Sequence, residues 1–214
     1  MILIILLVLA CLLFIIHRSD AFLQGNAGVL FHSGTGLESL SMQLTHRNLL
    51  MDTQSMKGWK LVKNAAKPLS LYRDAEGFGV IQWLPSTEKV WVGALNSGSL
   101  LIPFSAVRGK TVTLSFEWRS SDWSKNDSMH IYYSLTQGKN RTLYNNRRVT
   151  LNPNSEWQQV SVTQTLSDSF FAKGSGTIDD NTKFYINLGT NSLGTCEVRK
   201  IKLEVGNRPT PWTP

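Results

Sequence analysis

Cysteine is nearly missing from this chain, with Cys11 and Cys196 the two among 214 residues. Two thiols cannot build a disulfide framework. Cys11 lies in an apolar run and Cys196 at an inward strand position, so both are expected free, with Cys196 a small buried hydrophobe rather than a reactive thiol. Histidine is almost as scarce: His17, His32, His46 and His130. Three of them precede the strand-rich part, and none stands at metal-ligand spacing or beside a nucleophile elbow. Asp and Glu number 15 against 22 Lys and Arg. No spacing marks two acids as a general acid/base pair, and Asp179-Asp180 reads as a polar turn. These absences argue against an enzyme and against a cofactor. A structural calcium would have to draw on scattered loop acids such as Asp52, Asp122, Asp127 and Asp179; no loop carries an EF-hand spacing, so such an ion stays unassigned. Helical periodicity is also missing beyond residue 46.

The charge balance gives a net +7, which favours anionic partners without naming one. No helix-turn-helix, zinc-finger or RNA-reading aromatic motif accompanies it, which argues against nucleic acid. The basic residues gather once, at Lys139, Arg141, Arg147 and Arg148. That cluster reads either as a solvated hairpin or as a contact for a phosphate-bearing wall polymer such as teichoic acid.

Met1 to Ile16 is the one long aliphatic run. As a helix it would extend about 24 Å, short of a hydrocarbon core of ~30 Å. Three readings stay open for this N-terminal segment, residues 1–20: a short membrane anchor, a signal peptide cut near Ser19-Asp20-Ala21, or a short hydrophobic assembly helix. Residues 21–45 are rich in Gly and Ser. Leu37, Leu40 and Leu44 lie there at helical spacing, so this stretch is a linker or a short helical neck.

From residue 46 to 214 the apolar period is two. In Thr111–Arg119, Val112, Leu114, Phe116 and Trp118 point one way, and Thr111, Thr113, Ser115, Glu117 and Arg119 the other. Met129–Thr136 places Ile131, Tyr133 and Leu135 inward, with His130, Tyr132 and Ser134 outward. Lys183–Leu188 repeats this with Phe184, Ile186 and Leu188 inward and Tyr185 and Asn187 outward. The phase slips between Val198 and Ile201, which predicts a bulge. Gly77–Leu84, Glu88–Leu95, Leu143–Thr150 and Trp157–Leu166 are further strands, separated by turns such as Asn96-Ser-Gly98 and Leu151-Asn-Pro-Asn154. Strands with one clean apolar face each imply an all-β fold, a two-sheet antiparallel jelly-roll sandwich, behind the short N-terminal hydrophobic helix.

Aromatic residues at outward positions are the candidates for a binding surface. Tyr132 and Tyr185 are large rings on otherwise polar faces, in register with Glu117, Arg119, His130 and Asn187. Rings that stack on sugars, beside polar groups that bond hydroxyls, are what a glycan site needs. Trp123, in a polar loop, serves equally as the edge of such a site or as a cap on the core.

The chain's last residues, Leu203-Glu204, Gly206, Thr210, Trp212 and Pro214, stand in the pattern L-E-x-G-x-x-x-T-x-W-x-P. Pro209, Pro211 and Pro214 cannot continue a ladder, and Trp212 reads as a plug at one end of the sandwich. Upstream, Arg47-Asn-Leu-Leu50, Asp52-Thr53 and Gly58-Trp59 form a second pattern, which places Leu49, Leu50 and Trp59 in the core. The pair resembles the entry and close of jelly-roll modules in tail and receptor-binding proteins of phages that infect Gram-positive bacteria. The resemblance spans residues 47–214. It implies carbohydrate binding without catalysis, attachment to a cell-surface glycan of the host, a virion tail or cell-surface location, and several copies acting together. A virion structural or assembly protein that contacts other tail or capsid proteins, and a membrane-anchored bacterial surface protein, are the alternatives.

Overall fold

The alternating segments become paired strands in the structure, a computed structural model. It describes residues 47–214 except 63, 97–99, 125–126 and 138–139, and omits the side chains of 140–142. The expectations for residues 1–45, with Cys11, His17 and His32, lie outside the described residues, as do those for His46 and Lys139. Arg141 is described in its backbone alone.

Among the described residues the strands are, in chain order, β1 (Trp59–Val62), β2 (Leu69–Arg73), β3 (Gly79–Trp83), β4 (Val92–Asn96), β5 (Ile102–Pro103), β6 (Thr111–Ser120), β7 (Ser128–Gln137), β8 (Asn140–Thr150), β9 (Asn154–Thr165), β10 (Lys173–Gly174), β11 (Lys183–Thr190) and β12 (Cys196–Val205). One sheet runs β1-β4-β11-β7-β8-β10, with β5 on the end of β11; the other runs β2-β3-β12-β6-β9. All pairs are antiparallel. The chain steps from one sheet to the other after β1, β3, β5, β6, β8, β9 and β11. That alternation builds the jelly-roll sandwich which the period-two pattern predicts.

The inner faces form one core. Val112, Leu114, Phe116 and Trp118 from β6 meet Ile131, Tyr133 and Leu135 from β7 and Phe184, Ile186 and Leu188 from β11, all almost wholly buried. Each such side chain contributes about 1.5–3 kcal/mol by leaving water. Buried indoles also need partners for N–H, and Trp83 finds one in the Val92 carbonyl at 3.1 Å. Leu50 and Trp59 are in the core as expected, whereas Leu49 is half-buried at its margin. Gly58 has a steric reason: a Cβ there would come within 2.8 Å of Leu100 Cδ1.

The predicted bulge is present. The β12–β6 register shifts between Arg199 and Lys202, and Lys200 takes φ 51°. That slip keeps both Val198 and Ile201 inward at 0% exposure. It also frees the Ile201 carbonyl, which accepts from Asn48 Nδ2 at 3.1 Å and from Trp212 Nε1 at 3.3 Å.

Trp212 therefore does not plug the end of the sandwich. It is half-buried, lies edge-on to Phe78 at 5.3 Å, and covers the bulge. The tail also alters the outer face of the five-stranded sheet. Lys202 Nζ donates to Thr210 Oγ1 at 2.6 Å and the Pro211 carbonyl at 2.9 Å, while Glu204 accepts from Thr210 N at 2.7 Å. Thr113 and Ser115, read as solvent-facing, are consequently buried. Alternation sorts side chains between faces; it does not say which face a tail will cover.

Candidate functional site

The seven-stranded sheet turns its outer face away from the core, and β11, β7 and β8 lie side by side in it. Asn187 stands opposite Tyr132, Tyr185 opposite Ser134 and Gly189 opposite His130. Across the β7–β8 pairing, Tyr132 faces Asn146, Ser134 faces Tyr144, and His130 faces Arg148. Alternation then puts Tyr132, Tyr144, Tyr185, Asn146 and Asn187 on one surface. Both predicted tyrosines are half-buried there, and the interior ring is that of their neighbour Tyr133.

A fourth strand, β4, completes the site through absence of side chains. Gly93 of β4 pairs with Gly189 of β11. A Cβ at Gly93 would come within 2.6 Å of Trp91 Cη2, and one at Gly189 within 2.6 Å of Trp91 Cζ2. The two glycines make a flat bed on which the indole lies. Trp91 meets Tyr132 edge-on with centroids 5.7 Å apart, and Tyr132 meets Tyr144 at 6.1 Å. Trp91, Tyr132, Tyr144, Asn146, Lys173 and Asn187 line a groove of about 330 Å³. That size falls at the small end of ligand sites, and an aromatic wall with a few polar groups is their usual make-up.

Polar atoms around this groove lack partners within the protein. Trp91 Nε1, both His130 nitrogens, Ser134 Oγ and Asn187 Oδ1 are shielded from solvent and make no hydrogen bond. Orphaned groups of this kind cost free energy unless something satisfies them. His130 stacks against Tyr132 at 6.3 Å. Burial, and secondarily the Arg148 charge, lower its pKa from the usual 6.5. A base with a lowered folded-state pKa binds fewer protons folded than unfolded, so its contribution is intact above about pH 6.5 and lost as pH falls. Stability measured by urea unfolding should therefore decline from pH 7 to 5, with a shallower slope in His130→Gln.

Of the residues picked from sequence, Tyr132, Tyr185, His130 and Asn187 share this face. Glu117 and Arg119 do not, because β6 belongs to the other sheet. There Arg119 donates to Glu197 at 2.5 Å and stacks over Trp157 at 4.5 Å, while Glu117 accepts from Arg199 at 2.7 Å. Trp123 is 3% exposed against Trp118, centroids 5.0 Å apart, so it caps the core. Sequence reasoning overlooked Trp91, Tyr144, Asn146 and Lys173. Tyr144 and Asn146 were legible as alternate positions of a predicted strand, whereas Trp91 needed the Gly93–Gly189 pairing to become visible.

The basic cluster also divides. Arg148 is on the groove face, but Arg147 donates to Gln164 Oε1 at 2.9 Å and lies over Phe170 at 5.5 Å. A second cavity of about 270 Å³ opens on the five-stranded sheet beside Arg119, Ser120, Ser121, Ser155, Thr195 and Glu197. Its carboxylate is already occupied: Glu197 accepts from Tyr72 Oη and Gln82 Nε2, both at 2.7 Å, besides Arg119.

Among the described residues no three His, Cys, Asp or Glu side chains gather as metal ligands. Asp52 accepts from Gly58 N at 2.5 Å, Asp179 from Asn181 N at 2.9 Å, Asp122 from Thr195 N at 3.0 Å and Asp127 from Ser192 Oγ at 2.6 Å. A cation already sits near the last two. The Lys67 ammonium, wholly buried, donates to the carbonyls of Ser192 and Gly194, and burial lowers its pKa against the raising effect of Cys196, Asp127 and Asp122. Cys196 is free and fully buried, with its thiol pushed up by burial.

Neither a family model nor a curated protein matches the sequence. Solved structures do match in shape. The enzymatically active domain of tailspike protein 4 from bacteriophage CBA120 aligns at TM-score 0.51 and 8% identity, over 74% of this chain and 21% of that one. An arabinose-bound GH51 α-L-arabinofuranosidase aligns at TM-score 0.46 and 17% identity, over 75% of this chain and 26% of that one. The C-terminal family 22 carbohydrate-binding module of Clostridium thermocellum Xyn10B aligns at 0.49 and 14%, over 78% of this chain and 99% of the module. The chain thus spans a fifth to a quarter of the tailspike and the arabinofuranosidase, and nearly all of the binding module. At these identities the likeness is one of fold.

Proposed function

We propose that the chain is a non-catalytic carbohydrate-binding module that holds a cell-surface polysaccharide in the Trp91–Tyr132–Tyr144 groove. The observation that carries this reading is the coincidence, on one sheet face, of three clustered aromatic rings with buried polar atoms that have no partner in the protein. Rings supply the apolar contact that a pyranose face requires, and Asn146, Asn187 and Lys173 stand where hydroxyls would need bonds. The entry and close motifs support a place among phage tail or receptor-binding proteins, with host attachment as the role. A groove of this size binds a few sugar units weakly, and several copies on one particle would supply the avidity.

The test is Trp91→Ala combined with Tyr132→Ala, screened beside the wild-type chain on a glycan array. Losing both platforms should weaken binding by about 30-fold or more, while the melting temperature moves by less than about 5 °C because neither ring belongs to the core. Unchanged binding by the double variant would remove the assignment of this face.

A further inference from the structure

The two outer faces differ in how their charges are met. On the five-stranded sheet each buried or half-buried cation has an acid: Arg119 with Glu197, Arg199 with Asp74, Glu76 and Glu117, Lys200 with Glu117, and Lys202 with Glu204. On the groove face, every charged side chain that the strand register places is basic. These are Lys60 on β1, Arg148 on β8, Lys173 on β10 and Lys183 on β11. None of the four forms an ion pair with a described acid. Lys173 lines the groove itself and reaches Asn146 Oδ1 at 3.3 Å, and Arg148 projects two residues along β8 from Asn146, about 7 Å away.

From this contrast we infer that the groove takes an acidic polysaccharide, one bearing carboxylate or phosphodiester groups along its backbone. The inference rests on the glycan-binding reading above and deepens it. Lys60, Arg148 and Lys173 are exposed, so an anion reaching the groove would meet these charges without displacing a partner acid. An anion spaced along the polymer would meet Lys173 within the groove and Arg148 at its end, while the intervening sugar lies against Tyr132 and Trp91. Charge-assisted bonds from a guanidinium or an ammonium are stronger than neutral ones, so these two contacts select for charge and the rings select for sugar. Asn187 Oδ1, buried in the groove lining with no donor, provides an acceptor for a hydroxyl beside the anion.

The experiment uses the full chain and four polymers: polygalacturonate, its methyl ester, poly(glycerol phosphate) and xylan. Binding is measured by affinity electrophoresis and calorimetry at about 50 and 500 mM salt. Expected is tighter binding of polygalacturonate or poly(glycerol phosphate) than of the methyl ester and xylan, by about tenfold, with the preference lost at high salt. Which anionic polymer binds distinguishes carboxylate from phosphate recognition. Lys173→Gln with Arg148→Gln should lower binding of the anionic polymers by about tenfold relative to the methyl ester and xylan and flatten its salt dependence; Trp91→Ala with Tyr132→Ala should remove binding to all polymers. If neutral polymers bind equally well and the Lys173/Arg148 variant behaves as wild type, the acidic assignment falls and the glycan site stands. If the aromatic variant keeps its binding, the attraction is nonspecific charge and both fall. Binding to none of the four overturns both as well.

Discussion

Replacing Asn48 by Ala should destabilise the domain by about 3–5 kcal/mol, a large share of the ~5–15 kcal/mol that holds a domain of this size together. Asn48 is 9% exposed and joins three parts of the chain that are far apart in sequence. Its Nδ2 donates to Thr53 Oγ1 at 2.8 Å, the Ile201 carbonyl at 3.1 Å and the Thr213 carbonyl at 3.2 Å. Its Oδ1 accepts from the backbone N–H groups of Leu50 and Leu203, both at 3.1 Å. Truncation would leave two buried donors and the bulge carbonyl short of partners, and each such loss costs about 1–3 kcal/mol. Leu49 N still bonds the Leu203 carbonyl at 2.7 Å, so the entry segment should stay attached but loosened. Urea unfolding gives the loss directly. Hydrogen exchange at Leu50 and Leu203 should accelerate before exchange in β7 or β11 does. A change below about 1 kcal/mol would mean that water replaces the carboxamide at this junction.

The same residue shows what the sequence made legible. Arg47-Asn-Leu-Leu50 and the Thr-x-Trp-x-Pro close stood out as a matched pair, and the structure supplies their reason: Asn48 bonds the carbonyls of both Ile201 and Thr213. Strands β6, β7, β11 and β12 could be read because each is eight or more residues long and buries one face, which gives period two a clean signal. The short strands β1, β2, β5 and β10 could not, since two to five residues hold few alternations; β3 and β4, also five residues, were read only inside longer segments. Glu88–Leu95 was half right. Ser86 Oγ bonds the Glu88 carbonyl at 2.7 Å and Val90 N bonds it at 3.0 Å, so the chain is still turning there and β4 starts at Val92.

The site was legible by face but not by neighbourhood. Tyr132, Tyr185, His130 and Asn187 could be placed outward from alternation alone. Which sheet each strand joins depends on pairings between distant segments, and so Glu117 and Arg119 were grouped with the wrong face. Trp91 is the sharper case. Nothing around it marks it as a platform; its role comes from Gly189, 98 positions later, leaving room for the ring. The polar appearance of Thr113 and Ser115 misled in the opposite direction, because residues 206–214 fold back over that face, where Thr113 Oγ1 bonds the Gly206 carbonyl and the neighbouring Lys202 bonds Thr210 and the Pro211 carbonyl.

Arg199→Met should cost about 3 kcal/mol at neutral pH, and the deficit should shrink in acid. The Arg199 side chain is 6% exposed and holds Asp74 at 2.5 Å, Glu76 at 2.7 Å and Glu117 at 2.7 Å, with Trp157 at 4.3 Å and Phe78 at 5.6 Å. Methionine would keep much of the contact with the two rings but leave three carboxylates sharing Lys200 alone, which lies 3.1 Å from Glu117 and 3.7 Å from Glu76. Breaking a buried pair by deleting one partner costs more than the pair gained, because the remaining charge stays desolvated. Burial alone would raise the pKa of Asp74; the hydrogen bonds from Arg199 and Phe78 N outweigh it and hold the carboxyl below its usual 3.8. A depressed carboxylate stabilises the fold above the unfolded pKa and loses that contribution as pH falls through the folded value. The wild type should therefore weaken steeply below about pH 4, where protonation of Asp74 removes what Arg199 provides. The variant has no guanidinium to lose, and neutralising Asp74 relieves repulsion among its acids, so its curve should flatten and the two should converge. A deficit that stays constant from pH 7 to 3 would assign the effect of Arg199 to its packing on Trp157 and Phe78 rather than to its charge.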